Sequence, residues 1–301
     1  MYALAAVSQI TGVPVETIQI WEKRYGLAPQ RPAGTGPRRY TDAQVRLVAA
    51  VASLVELGHS SDEAVAEVKS RLRRGVSLFD PAAATPGRSL GSPPHPLTQA
   101  VLARAESRSK AGVRDTVREA WRLFGPDAVA DQWVMPTLRA AGSAWEAGEL
   151  SVAAEHMVSL EIRGALERDL ELALQEPDLA VPVVVVGNAA GVTHDIGAWA
   201  FAALTARRGR ATRCLGGDKP DEQWNLVLAA TTPGDVVLTA TRLADILPTE
   251  RLVARLRAEY PGMRIWIGGR QQYALSGTAP ALGDHLAKAA ERLASAVTLA
   301  R

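Results

Sequence analysis

His194 follows directly on the β-branched run VPVVVVGNA at 181–189, in the stretch GVTHDIG that closes at Gly197. A histidine, an aspartate and a glycine therefore fall where a buried strand ends and the next helix begins, the place at which open parallel sheets bind ligands. An imidazole there serves as a metal ligand, or as nothing more than a solvated or capping group. Between Gly197 and Thr239-Ala240-Thr241 lie 41 residues, and 26 more separate Thr241 from Gly268-Gly269. Hydroxyls can bond a buried ligand nitrogen, and glycines let a ligand pass close to the backbone. A second group of candidates is WEAGELSVAAEH, in which nine residues separate Trp145 from the pair Glu155-His156. Taken alone, it is an ordinary helix-turn-helix of a bundle. A third is electrostatic: between Gln19 and Arg39 the cations Lys23, Arg24, Arg31, Arg38 and Arg39 face a single anion, Glu22. Such a stretch is either a solvated face or a phosphate-contacting surface.

The elements that must position these groups form four blocks. In the first, about residues 1–75, helices are expected at 3–10 and 15–24, broken by Thr11-Gly12-Val13-Pro14, the size and spacing of a DNA-binding helix-turn-helix. Pro29 to Arg39 holds three prolines, two glycines and three arginines, which suits a hairpin wing. Helices at 41–57 and 60–73 follow, the first with Thr41 as N-cap and Gln44 closing a capping box. Residues 76–96 carry five prolines and read as a linker. From 97 to 176 apolar residues recur at helical spacing, giving four helices near 97–109, 111–124, 126–148 and 151–174. From 177 to 301 strands at 181–189, 211–215, 236–240 and 264–267 alternate with helices at 194–208, 221–231, 248–259 and 283–300. That alternation predicts a doubly wound parallel sheet of Rossmann-like type. The fold class is thus multidomain, α followed by α/β.

Composition bounds the reading. The chain has 301 residues, 47% of them hydrophobic and 22% charged, which is globular, and no internal repeat is visible. The single cysteine, Cys214, excludes an internal disulfide and a four-cysteine zinc site. No apolar run approaches the ~18 residues of a membrane span, and the N-terminus lacks the pattern of a secretion signal, so a cytoplasmic protein is expected.

Two stretches carry resemblances to known families. VETIQIWEKRYGL and the later RRYT resemble the DNA-binding domain of the MerR family over about residues 2–72. The resemblance implies that Thr17, Gln19, Lys23, Arg24 and Tyr25 face double-stranded operator DNA from the recognition helix. It implies the same of Arg38, Arg39 and Tyr40 from the wing. Trp21, in helical register with Ile18, reads as core. Gln19 stands where the family usually has arginine, which leaves the operator sequence open. The long dimerising coiled coil of most members is missing, so any oligomer must form through the C-terminal part.

The intervals from His194 through Thr239 and Thr241 to Gly268 and Gly269 resemble the cobalamin-binding domain of methionine synthase and methylmalonyl-CoA mutase. The resemblance implies a base-off cobalamin with His194 as the axial ligand of cobalt, an ion that imidazole suits. Gly197 completes its first motif, with Asp195 between it and His194. Val192 replaces the acidic residue that orients the ligand in the family; Asp195 and Asp218 stand as substitutes.

With a helical block placed before such a sheet, Trp145, Glu155 and His156 match the W-x9-EH motif of the light-responsive, MerR-type cobalamin regulators of the CarH and LitR group. The match in domain order covers almost the whole chain. It implies adenosylcobalamin held between bundle and sheet, with Trp145, Glu155 and His156 around the adenosyl group. It also implies a repressor that is a tetramer on DNA in the dark and falls apart in light. Glu146 replaces a histidine that captures cobalt after photolysis in well-known members. A second reading keeps the regulator and changes the ligand to haem or a bilin, or does without cobalamin. A third, a corrinoid-dependent methyltransferase component, requires a substrate domain that the sequence does not provide, so no enzymatic activity is expected.

Overall fold

The computed structural model describes residues 1–27, 39–56, 59–74, 78, 94–174, 182–231, 233–275 and 277–298. The expected wing, with Arg31 and Arg38, and nearly all of the expected linker lie outside these residues. The described chain forms two compact units: residues 1–94 with 140–155, and residues 95–139 with 156–301.

The first unit is helical. Its helices are α1 (Leu4–Thr11), α2 (Val15–Tyr25), α3 (Asp42–Glu56) and α4 (Ser61–Arg74). Gly12 and Gly26 end α1 and α2 in the left-handed conformation, with φ of 70° and 69°, where a β-carbon would be strained. Thr41 and Gln44 form the expected capping box: the Thr41 N–H donates to Gln44 Oε1 at 2.8 Å, and the Gln44 N–H to Thr41 Oγ1 at 3.3 Å. Ser60 and Glu63 repeat the device at the start of α4. Val7, Ile18, Trp21, Tyr40, Val45, Val51 and Val65 build the core, so Trp21 packs inward as its spacing predicts. Tyr2 and Tyr40 exchange backbone hydrogen bonds of 2.7 and 2.8 Å, which ties the N-terminus to the entry of α3.

The same unit takes in the end of α7 (Met135–Ala147), the turn at Gly148 and the start of α8 (Val152–Ala173). Val152 is buried in the core just named, and Trp145 packs against it. The Val152 N–H donates to Asp42 Oδ1 at 3.0 Å, and the same oxygen accepts the Tyr2 hydroxyl at 3.0 Å. Four helices were expected between 97 and 174, and four are seen, but the α7–α8 turn belongs with the N-terminal helices.

The second unit contains α5 (Pro96–Glu106), α6 (Lys110–Phe124), the remainder of α7 and α8, and the sheet. Pro96, assigned by sequence to the linker, instead opens α5 at its first helical position, where the missing N–H costs nothing. Sequence periodicity did not reveal that residues Ala130–Val134, before α7, form a π turn. The sheet runs in the order β2-β1-β3-β4, all parallel, with β1 (Val184–Ala189), β2 (Thr212–Lys219), β3 (Asp235–Thr239) and β4 (Arg264–Gly268). Helices α9 (Ile196–Arg207), α10 (Asp221–Thr231), α11 (Ile246–Glu259) and α12 (Leu286–Thr298) complete the doubly wound pattern. All six residues of β1 are buried, as its β-branched run predicts for a central strand. The connections out of β1 and β3 lead to opposite sides of this order, so the crevice between those two strands is the topological switch point.

Candidate functional site

The loop after β1 is organised by Asn188, a residue the sequence reading passed over. It is completely buried, and its amide Nδ2 donates to the His194 carbonyl at 3.1 Å and to the Val192 carbonyl at 3.4 Å. Its Oδ1 accepts the Thr239 hydroxyl at 2.6 Å, and its carbonyl accepts Trp224 Nε1 at 3.3 Å. One side chain thus joins the His194 loop to the end of β3 across the switch point.

His194 is exposed at the carboxyl end of the sheet, with the Thr193 hydroxyl 3.5 Å from its Nδ1. Val192 is buried in the sheet core, so the position of the expected carboxylate is spent on packing. The two proposed substitutes both lie beside the loop. Asp195 is buried and its Oδ2 accepts the Gly217 N–H at 3.0 Å and Trp199 Nε1 at 3.1 Å, while Arg163 of α8 approaches to 3.4 Å. Asp218 adopts φ 52° and accepts the Gly191 N–H at 2.7 Å. Both carboxylates bond to the backbone of the loop and its neighbouring strand. Gly216 and Gly217 of β2 press against that loop: a β-carbon on Gly216 would come within 2.9 Å of Asp195, and one on Gly217 within 2.9 Å of the Thr193 carbonyl.

At β3 and β4 the expected groups are adjacent. Thr239 is buried and its methyl lies 3.8 Å from where a Gly268 β-carbon would sit. Gly269, at φ 89°, tolerates no side chain, because a β-carbon would run into the Ala240 carbonyl. The Thr241 N–H donates to Asp245 Oδ2 at 2.8 Å, as does Arg242, so Asp245 fixes this turn. Gly197 lies in the first turn of α9 with open space around its α-carbon. The structure thus brings His194, Thr239, Gly268 and Gly269 to one end of the sheet.

The other candidates divide between the units. Trp145 and Glu155, both half-buried, belong to the first and His156, exposed, to the second; Glu146 is exposed.

On α2, the face opposite Ile18, Trp21 and Glu22 exposes Gln19 and Lys23, with Thr17 half-buried. Of the remaining expected DNA contacts, Tyr40 lies in the core, and Tyr25 and Arg24 have partners within the unit. Tyr40 is fully buried, its hydroxyl donating to Glu22 inside the core. Tyr25 is half-buried against the same core. Arg24 pairs with Asp62 of α4 at 2.9 Å and lies over the Tyr25 ring at 5.3 Å. Arg39 is exposed.

Comparison with known proteins finds two domain families in the chain. Residues 2–70 match the MerR HTH family regulatory protein and residues 95–168 match the B12 binding domain. The chain thus carries a MerR-type helix-turn-helix domain and a helical B12 binding domain, followed by a Rossmann-like parallel sheet. It is 29% identical over 271 residues to the HTH-type transcriptional repressor CarH of Myxococcus xanthus, across 89% of this chain and 88% of that protein. It is 26% identical over 247 residues to the repressor CarA of the same organism, across 79% of this chain and 76% of that protein. Among solved structures, a monomethylamine corrinoid protein of Methanosarcina barkeri superposes with a TM-score of 0.53 at 20% identity. That likeness covers 66% of this chain and 96% of the corrinoid protein, and it bears on the fold alone.

Proposed function

We propose that the protein is a repressor that binds operator DNA in the dark and releases it in light, with adenosylcobalamin as the light-absorbing cofactor. When bound, that cofactor supplies a cobalt–carbon bond that visible light breaks. The residues present fit it: an exposed imidazole at the switch point, a buried hydroxyl at Thr239 and a glycine pair that admits a ligand against the backbone. His194 would hold the cobalt through its imidazole, its backbone fixed by the Asn188 amide that donates to its carbonyl. The Thr239 hydroxyl donates to Asn188, so a buried ligand nitrogen at this place would compete with Asn188 for that proton. Trp145, Glu155 and His156 would contact the adenosyl side.

One observation carries the regulatory reading. The α7–α8 turn, between Trp145 and Glu155, is built into the core of the DNA-binding helices through Val152 and held by Asp42. Movement of this turn therefore acts on α3 directly, whereas a corrinoid-carrying enzyme component has no use for such a connection. Assembly of dark protein into a tetramer through the C-terminal domains is part of the same proposal.

The test is to load purified protein with adenosylcobalamin in the dark, desalt it, and record its absorption spectrum, its size and its operator affinity before and after green light. Retained cobalamin, a light-induced spectral change, a smaller species and loss of operator binding are expected. His194→Ala is expected to lose tight retention. Colourless protein after desalting would overturn the cobalamin reading and direct attention to haem or a bilin. Retained cobalamin with no effect of light on DNA binding would overturn light control.

A further inference from the structure

Ile20 of α2 is 57% exposed, although it lies in the middle of a helix whose other aliphatic residue beyond the first turn, Ile18, is buried in the core. With about 100° between successive residues, Glu16, Gln19, Ile20 and Lys23 share a stripe about 100° wide on the face away from that core. All four are exposed. Arg24, at the edge of the stripe, pairs with Asp62 and lies over the Tyr25 ring, and Glu16, Gln19, Ile20 and Lys23 are the outward groups of the stripe. Lys23 gives this face a positive charge that attracts phosphates.

A stripe of amide, branched aliphatic and cation matches the chemistry of an A·T pair in the major groove. Adenine offers N7 and N6 to a glutamine amide, and thymine offers its 5-methyl group to an apolar side chain. We propose that Gln19 and Ile20 together determine operator specificity: Gln19 reads an adenine, Ile20 packs on the methyl of a neighbouring thymine, and Lys23 meets the backbone. The proposal rests on the DNA-binding reading above and specifies what that surface reads. The occupant is duplex DNA; a second copy of the chain on Ile20 is the competing outcome.

The full-length protein, loaded with adenosylcobalamin in the dark, is used to select duplexes from a random library, and affinities are measured on the selected half-site. Replacing thymine by uracil, which removes only the methyl, is expected to weaken binding about fourfold at one position, the worth of one buried methyl group. Ile20→Ala is expected to bind thymine and uracil sites equally, and Ile20→Val to keep the discrimination. Gln19→Ala is expected to lose about fivefold to hundredfold preference for adenine at the adjoining position, the range of a bidentate side chain–base pair. Selection of no sequence would overturn the DNA-binding reading itself. A selected operator with unchanged thymine–uracil discrimination in Ile20→Ala would overturn the assignment of Ile20 alone. A change of oligomeric state in Ile20→Ala, with base preference intact, would place Ile20 between copies of the chain and overturn the proposal.

Discussion

Asn188 and Asp195 show how much of the ligand loop depends on single polar side chains. Asn188 presents its amide donors to two loop carbonyls and its oxygen to Thr239, and it is fully buried, so no water can replace a lost partner. Asp195 is surrounded by a backbone N–H, an indole N–H and a guanidinium, so its charge is compensated where it stands. Asp169 of α8 is in a different position. Burial raises its carboxyl above the ordinary range, and Arg207, 3.6 Å away, only partly opposes this. A raised value in the folded state means that the proton is held more tightly after folding. The stability it contributes is therefore present below the unfolded value, about 3.9, and is lost as the pH rises through the folded value. Asp169→Asn is expected to melt at a higher temperature than the parent at pH 7. The advantage should shrink toward zero below about pH 4, where both chains carry a neutral group. Thermal melts at pH 7 and 3.5 check this, and an equal advantage at both pH values would refute the role of charge.

At the scale of elements, the protein joins its parts by capping one element with a side chain from another. In the first unit Asp42, in the first turn of α3, accepts the Val152 N–H at the start of α8 and the Tyr2 hydroxyl. In the second, Asp131 of the π turn accepts the Leu286 and Ala287 N–H groups at 2.9 and 3.0 Å, capping α12 from the bundle. A π turn rotates the following side chains relative to an α-helix, which gives this one a mechanical purpose. Arg163 of α8 adds a contact over the Trp199 ring at 5.3 Å. Asp42→Ala removes a charge-assisted acceptor, an interaction of about 1.5–3 kcal/mol. The expected outcome is at least about tenfold faster amide hydrogen exchange at Val152–Glu155, with the exchange of β1 unchanged. Unaltered exchange at Val152 would mean that hydrophobic packing alone holds the turn.

For the whole molecule, the total charge of +2 says little, because the cations that matter are grouped around α2 and the segment before α3. Among the described residues no helix is long and apolar enough to cross a membrane. Arg39→Ala is expected to weaken operator binding across sequences and to lower the slope of log affinity against log salt by about one, as loss of one phosphate contact requires. Titrations between low and moderate salt measure it; an unchanged slope would remove Arg39 from the phosphate contacts.

What the sequence determined by itself is whatever is set by neighbours in the chain. The β-branched run places β1 in the middle of a buried sheet, and its end places His194 at the binding edge. Thr41 with Gln44 marks the start of α3, and the helical register of Ile18 and Trp21 marks the inner face of α2. Periods and caps are local, so a single strand of text carries them. Only the tertiary structure decided which partner each polar group takes. Tyr40 reads as a DNA contact until Glu22, 18 residues away, comes within reach in the core. Asp195 reads as a support for His194 until Gly217 folds onto it. The Asp131 cap spans 155 residues of chain. A hydrogen bond is decided by a few tenths of an ångström and by direction, and no spacing along the chain fixes either between residues that meet only when the core closes.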